Sequence, residues 1–394
     1  MNNVALALLL LSGVFVFYTY FGYGRALSLI ARRCPNVADE LPPTSDDDCP
    51  PLAVLICAFN EAHQITGKLD NCLGLDYPNG KLRIIVVSDG STDETDERVR
   101  NYDDPRVSLI SAPSRQGKAA CINLGMEQIH EEIVLMADVR QELSANSARA
   151  LVRHFSDPSV GAVTGKLQLQ LSDGPGSERS YDRGVSQYWE HEVRLRQTEA
   201  VVHSVIGVTG AIYALRRSAF QPIPPGTILD DVLIPMNAVM DGFRVRFEAR
   251  AMAFDHASTS PLQEQRRKIR TLAGNFQLLA LRPELLNWRQ NPVFWMFVSH
   301  KVMRLLVPVA MLVALVASVA LYDTHWLFAA CFWGQIAAYV ASLVPERIFK
   351  TIAVGPIRSA RTFVHMHWYV VKGFYEFVAN RNAHIWNVSP SGKD

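Results

Sequence analysis

The chain has 394 residues and a formal net charge of +1, from 39 Lys plus Arg against 38 Asp plus Glu, so no global basic field favours nucleic acid as a partner. With 49% hydrophobic residues it can bury a sizeable core, which excludes disorder and fibrous repeats, and its length allows about two to three domains. The six cysteines (Cys34, Cys49, Cys57, Cys72, Cys121 and Cys331) lack the close pairs of a zinc site and the density of a small secreted scaffold, and they read as reduced thiols.

Residues 4–23 carry no charge and are about long enough to cross a bilayer core. Met1-Asn2-Asn3 offers no positive n-region and no small-x-small site follows, so residues 1–24 read as a retained transmembrane anchor rather than a cleaved signal peptide. Arg25, Arg32 and Arg33 follow, which by the positive-inside rule puts the N-terminus outside and the next segment in the cytoplasm. Residues 25–50 form a linker, acidic and Pro-bearing over 36–50, that reads as a solvated spacer.

Residues 51–282 alternate short apolar runs with helical patterns. Strands are expected over 52–57, 82–87, 107–110 and 133–136, with helices carrying Ile65, Leu69, Cys72 and Leu73, and Ala148, Leu151, Val152 and Phe155, on one face. Such a βαβ series implies an α/β fold with a mostly parallel sheet, whose ligands bind beyond the carboxyl ends of the strands. Asn60 and Glu61 follow the first strand, and Asp89 to Asp93 the second, where a base or ribose can dock; Thr92 and Asp93 have the plainer use of capping a helix. Asp89, before Gly90, has no evident local donor and is placed to accept from a ribose hydroxyl or a base N–H. Lys118, after Arg115-Gln116-Gly117, opens a helix and can offer a point charge to a diphosphate, or be a solvated lysine. Asp138 ends the fourth strand, before Arg140, and a carboxylate there can hold Mg²⁺ or Mn²⁺ bridging a nucleotide diphosphate. Gly210 precedes the acidic pair Asp230 and Asp231, which read as an N-cap with a spare charge or as a general base for an acceptor hydroxyl. Loops such as 171–180, which shape a donor pocket, carry no readable code.

The basic cluster from Gln263 to Arg270 stands just before a second apolar region and reads either as headgroup contact or as part of a site. Residues 283–304, with Trp288, Trp295, Arg289, Lys301 and Arg304, have the composition of an amphipathic interface segment or the start of a longer tilted span. Residues 305–380 form the C-terminal transmembrane region. Within it, 305–322 and 324–345 suit a two-span hairpin, and 362–379, interrupted by His365, His367, Lys372 and Glu376, reads as a third span or an interfacial helix. Residues 381–394 are a tail.

The order AFNEA, VVSDGSTDET, RQGKAA, ADVRQ, GVTGA, LDDV and QEQRR, followed by apolar spans, resembles the membrane-embedded inverting glycosyltransferases of family 2, which include hyaluronan, chitin, cellulose and poly-N-acetylglucosamine synthases. The resemblance implies a GT-A fold, Rossmann-like, with one N-terminal and two to three C-terminal transmembrane helices. It also implies a nucleotide-sugar donor, usually a UDP-sugar, a divalent cation, and a glycan or lipid-linked acceptor. Asn60, Glu61 and Asp89 would line base and ribose, Lys118 the diphosphate, and Asp138 would match the first Asp of Asp-x-Asp, serving nucleotide and metal. Asp231, beside Asp230, would be the general base, and Arg266 the arginine of Gln-x-x-Arg-Trp that stabilises the leaving diphosphate, with Gly210, Gln263 and Arg267 in the acceptor region. Two positions depart from the pattern. Arg140 replaces the second Asp of Asp-x-Asp, where its guanidinium can contact phosphate, and Arg267 replaces the Trp on which an acceptor sugar stacks. The expected protein is an integral plasma (inner) membrane enzyme with a cytoplasmic catalytic domain, working with membrane lipids and with export or polymerisation subunits. The alternative is a non-catalytic assembly subunit with a decayed site, favoured by Arg140 and Arg267 and opposed by Asp89, Asp138 and Asp231 together.

Overall fold

The computed structural model describes residues 2–34, 45–170, 179–256, 261–344 and 355–380. Most of the acidic linker, the loop 171–178 and the tail 381–394 lie outside the described residues. The chain divides into two compact units, one holding Leu27–Pro261 and Gln277–Met296, the other Met1–Ala26, Leu262–Phe276 and Phe297–Asn380.

The first helix, α1 (Asn3–Ala31), belongs largely to the second of these units. The α/β unit then runs through β1 (Leu52–Ala58), α2 (Ile65–Leu73), β2 (Leu82–Ser88), α3 (Thr95–Arg100), β3 (Val107–Ser111), α4 (Lys118–Gln128), β4 (Ile133–Ala137), β5 (Glu142–Leu143) and α5 (Ser147–Val152). It continues with β6 (Val160–Gln170), α6 (Arg179–Val202), β7 (Ile212–Arg216), α7 (Asp230–Met240) and β8 (Arg244–His256). One eight-stranded sheet has the order β3-β2-β1-β4-β7-β6-β8-β5. The pairs β1–β2, β1–β4, β2–β3 and β6–β8 are parallel. The apolar runs of β1, β2 and β4 are buried on both faces, as central parallel strands must be, and α2 packs its Ile65, Leu69 and Cys72 face into the core. All six cysteines are free.

The four N-terminal strands fall where the apolar runs place them. The far half of the sheet does not follow from that alternation. There β7 enters antiparallel between β4 and β6, with Ala137 opposite Ile212. The antiparallel register matters for the site: the residues that leave β4 and those that enter β7 emerge side by side, although they are about seventy positions apart. The β6–β8 pairing carries register shifts at Gly161 and at Gly165.

In the other unit, α8 (Pro261–Leu281) contributes Leu262–Phe276. It is joined by α9 (Phe294–Ala320), α10 (Trp326–Leu343) and α11 (Gly355–Ala379). Among the described residues three helices, α1, α9 and α10, are long and apolar enough to cross a membrane. The residues Trp295, Phe297, His300, Lys301 and Arg304 form the first turns of α9 and not a separate helix. The stretch 362–379 lies in the single helix α11, whose 25 residues suffice in length, but Arg358, Arg361, Lys372 and Glu376 keep it outside the apolar set. Leu272 and Gly373 mark close approach of α8 and α11, since a Cβ on Gly373 would stand 2.7 Å from Leu272 Cβ.

A Cβ at Gly165 would stand 2.6 Å from the Ala251 carbonyl oxygen and 2.8 Å from Ile212 Cγ2, so the bulge requires glycine. Gly165→Ala must push backbone, not a flexible side-chain tip, and should destabilise the α/β unit by about 1–3 kcal/mol. Thermal melts of the detergent-purified chain, with and without the substitution, check this; an unchanged melting temperature would contradict the close approach.

Candidate active site

The ends of β1 and β2 are tied together by side chains of the two motifs that follow them. Asn60 sits in the left-handed region at φ 54°, which Asn tolerates better than most residues. Its Oδ1 accepts from the Thr92 amide at 2.8 Å, its amide donates to Ser91 Oγ at 3.1 Å, and the Glu61 amide donates to Thr95 Oγ1 at 2.8 Å. Asp93 accepts from the Thr95 amide at 3.0 Å and from the Ala62 amide at 3.1 Å, so it stabilises the start of α3 and also binds the neighbouring loop. These bonds hold its carboxyl below the usual range against the opposing effect of burial.

Asp89, expected to lack a local donor, receives its two donors from a loop remote in sequence. It is fully buried, and its oxygens accept from the Gln116 amide at 2.7 Å and from the Gly117 amide at 2.9 and 3.1 Å. Gly90 and Gly117 both have positive φ, and a Cβ on Gly90 would stand 2.8 Å from the Ser114 carbonyl carbon. The carboxylate therefore holds the loop that delivers Lys118 to the first turn of α4. Arg115, in the same loop, stacks over the Phe59 ring at 3.9 Å. Asp89, Ala112, Pro113, Gln116 and Leu124 line part of a cavity of about 310 Å³ beside this loop.

Lys118 is the meeting point of four elements. Its Nζ donates to Asp138 Oδ1 at 2.7 Å and lies 3.4 Å from Asp230 Oδ2. Burial opposes the charged ammonium, but the two carboxylates outweigh it and hold its proton well above the ordinary lysine range. Gly210, just before β7, faces this group: a Cβ there would stand 3.6 Å from Lys118 Nζ, 3.7 Å from Asp138 Oδ2 and 3.9 Å from Asp231 Cβ. Asp230 and Asp231 occupy the first turn of α7, where acids complement the helix dipole, and the capping position is Leu229, so neither is the N-cap. Asp230 is 6% exposed and its Oδ2 accepts no hydrogen bond among the described residues, whereas Asp231 is half-buried. Tyr213, absent from the sequence-derived set, lines the same small cavity as Lys118, Asp138 and Asp230. Its hydroxyl is buried without a hydrogen-bond partner among the described residues, and burial, reinforced by Asp230, pushes its pKa well above the ordinary value.

Arg140, expected as a guanidinium available to phosphate, is engaged: it donates to Asp255 Oδ2, at the end of β8, at 2.6 Å. Gln141 Nε2 donates to the same oxygen at 2.9 Å. From the other side Lys68, 3% exposed on α2, donates to the Gln141 carbonyl at 2.6 Å, and Asn71 bonds both the amide and the carbonyl of Leu143 at 2.9 Å. Burial lowers the Lys68 pKa and raises that of Glu61, whose carboxylate also feels Arg140 and Asp138. Lys68 and Asp255 were not legible as site residues, since each earns its place by a partner remote in sequence. Gln263, Arg266 and Arg267 are exposed on α8, in the unit of the apolar helices.

The sequence profile described as glycosyl transferase family 2 matches residues 53–223. The chain is 23% identical over 243 residues to a poly-β-1,6-N-acetyl-D-glucosamine synthase of Staphylococcus aureus, covering 60% of this chain and 55% of that protein. A poly-β-1,6-N-acetyl-D-glucosamine synthase of Staphylococcus epidermidis is 22% identical over 214 residues, covering 52% and 49%. The chain thus spans about half the length of the curated relatives it matches. Among solved structures, a mannosyltransferase from Pyrobaculum calidifontis in complex with GDP-Man and Mn²⁺ superposes with a TM-score of 0.70 at 21% identity, covering 95% of this chain and 99% of that one. Residues 53–223 thus resemble the family 2 glycosyltransferases, and the chain shares the GT-A fold of that solved neighbour.

Proposed function

We propose that this chain is an inverting glycosyltransferase. It moves a hexosyl or N-acetylhexosaminyl group from a nucleotide-sugar, a UDP-sugar in the first instance, to a glycan or lipid-linked acceptor in the synthesis of an exopolysaccharide or another cell-surface glycan. The observation that carries this reading is the convergence of Lys118, Asp138, Asp230 and Gly210 where the carboxyl end of β4 meets the start of β7. That edge is where an open α/β sheet binds its ligand. The likeness to polysaccharide synthases of two staphylococci supports the class of product.

In this assignment Asn60 and Glu61 border the nucleoside, Asp89 braces the loop beneath it, and Lys118 meets the diphosphate. Asp231 takes the proton of the acceptor hydroxyl as that oxygen attacks the anomeric carbon; the bond to the diphosphate breaks on the opposite face and configuration inverts. Asp230, buried against Lys118, keeps the ammonium in place. By their places in the motif, Arg266 would serve the leaving diphosphate, and Gln263 and Arg267 the acceptor side.

Among the described residues no group of three or more His, Cys, Asp or Glu side chains is arranged to hold a metal by itself. The residues fit an ion that shares the nucleotide's phosphate oxygens: Lys118 takes Asp138 Oδ1, while Oδ2 faces the space that a side chain at position 210 would fill. Asp138 would hold Mg²⁺ or Mn²⁺ there, and the bound ion would neutralise charge on the departing diphosphate. Arg32 and Arg33 after α1, and the basic residues after α10, support by the positive-inside rule a catalytic domain on the cytoplasmic side of the plasma (inner) membrane. Export or polymerisation subunits would act with it there.

Asp231→Asn should lower transfer by about 10²–10⁴-fold while leaving nucleotide affinity within a few-fold. Nucleotide release in lipid nanodiscs over UDP- and GDP-sugars, with Mg²⁺, Mn²⁺ or chelator, reads the first quantity and calorimetry the second; full activity in the variant would remove Asp231 as base. A lysine whose folded pKa is raised keeps its contribution below its unfolded pKa and loses it only as pH rises through the folded value. Nucleotide affinity attributable to Lys118 should therefore stay flat from about pH 7 to about pH 10. Comparison of wild type with Lys118→Met across that window checks this, and a wild-type loss near pH 9 that the variant does not share would contradict it.

A further inference from the structure

The pair Arg140–Asp255 is asymmetric: the guanidinium side chain is 54% exposed, the carboxylate 2%. The main chain under Arg140 is pinned from both sides. Lys68 grips the Gln141 carbonyl, Asn71 brackets Leu143, and the β5–β8 pairing sets Glu142 opposite Phe254. What is left to move is the Arg140 side chain, which stands two residues beyond Asp138 and close enough to Glu61 to stabilise its charge.

Two further facts favour movement. Asp255 Oδ2 keeps a hydrogen bond from Gln141 Nε2 when Arg140 departs, so the buried carboxylate is not orphaned. Among the described residues Arg140 donates only to Asp255, leaving most of its five N–H donors unused, whereas the Lys118 ammonium is already divided between Asp138 and Asp230. A diphosphate arriving at the strand ends finds one half-exposed guanidinium, with the planar fork that suits phosphate oxygens, tethered to a competing carboxylate.

Building on the proposal that this edge binds a nucleoside diphosphate, we infer that Arg140 exchanges Asp255 for the diphosphate when donor binds, and that Asp255 is a positioning residue that sets nucleotide affinity by competing for the guanidinium. The position that carries a carboxylate in the family motif thereby supplies a cation on demand, and the carboxylate has moved to β8.

The opposing signs of two substitutions test this. Calorimetry of the full chain in detergent with UDP and with GDP, each with and without Mg²⁺, should show Arg140→Ala weakening binding about 10-fold. Asp255→Asn, which keeps an acceptor for Gln141, should tighten it about 3- to 10-fold by releasing the guanidinium. The double variant should match Arg140→Ala, because with no guanidinium the tether has nothing to hold. Unchanged or weaker binding in a folded Asp255→Asn, with wild type binding normally, overturns the exchange and leaves the nucleotide site standing. Failure of wild type to bind either nucleotide overturns the site itself. A wild-type measurement stands independently of whether Asp255→Asn folds: phenylglyoxal labelling of Arg140, read by peptide mass spectrometry, should fall several-fold at saturating UDP or GDP, and equal labelling with and without nucleotide refutes the exchange.

Discussion

The Lys118 ammonium, set between the carboxylates of Asp138 and Asp230, is the contact on which the architecture of the site depends. It joins the first turn of α4, the end of β4 and the first turn of α7, three places that local sequence would leave independent. Without it, two carboxylates would face one another in a confined space, and like charges so placed cannot both stay ionised at little cost. The chain meets the demand by holding Lys118 through Asp89, whose buried carboxylate fixes the amides of Gln116 and Gly117 immediately upstream.

Polar residues beyond β4 are arranged on a second principle, that of charge relocated. Arg140 brings a cation into a loop that otherwise gathers acids, and Asp255 arrives from β8 to balance it. The balance is local enough to keep the fold, since Gln141 and Lys68 hold the same turn by neutral and cationic donors respectively. A single substitution in a motif is then not by itself a sign of decay, because its partner can be found on another strand.

The extent to which sequence exposed this arrangement follows the range of the interactions. The strands β1 to β4, buried on both faces, announce themselves as apolar runs, and the polar turns after them are short motifs contiguous in the chain. Asn60, Asp89, Lys118, Asp138 and the pair at 230 and 231 were therefore visible as candidates. The partners of Asp89 were not, because an Asp before a Gly says nothing of amides 27 and 28 positions away. Tyr213 and Asp255 were invisible for a related reason: each looks like an ordinary strand residue until the antiparallel entry of β7 and the β6–β8 register place it at the cluster. The helix α11 illustrates ambiguity of another kind, where length and aromatic content say span and the charged residues say otherwise.

Within the apolar helices, α1 and α9 each contain one wide turn with π-helical hydrogen bonding, Tyr18–Gly22 and Val298–Val302, and the two are joined where the Tyr18 hydroxyl meets Ser299 Oγ at 3.0 Å. A π turn accommodates one extra residue in an α-helix. At 3.6 residues per turn, each such insertion advances the helix face by about 100°. The side chains before and after the wide turn of α1 are thus set in angular phases that an uninterrupted helix of the same composition would not have. Closing either turn to ordinary α-helical bonding without removing a residue would re-aim an entire half-helix while leaving its hydropathy untouched, a change that composition-based comparison of such anchors would not register.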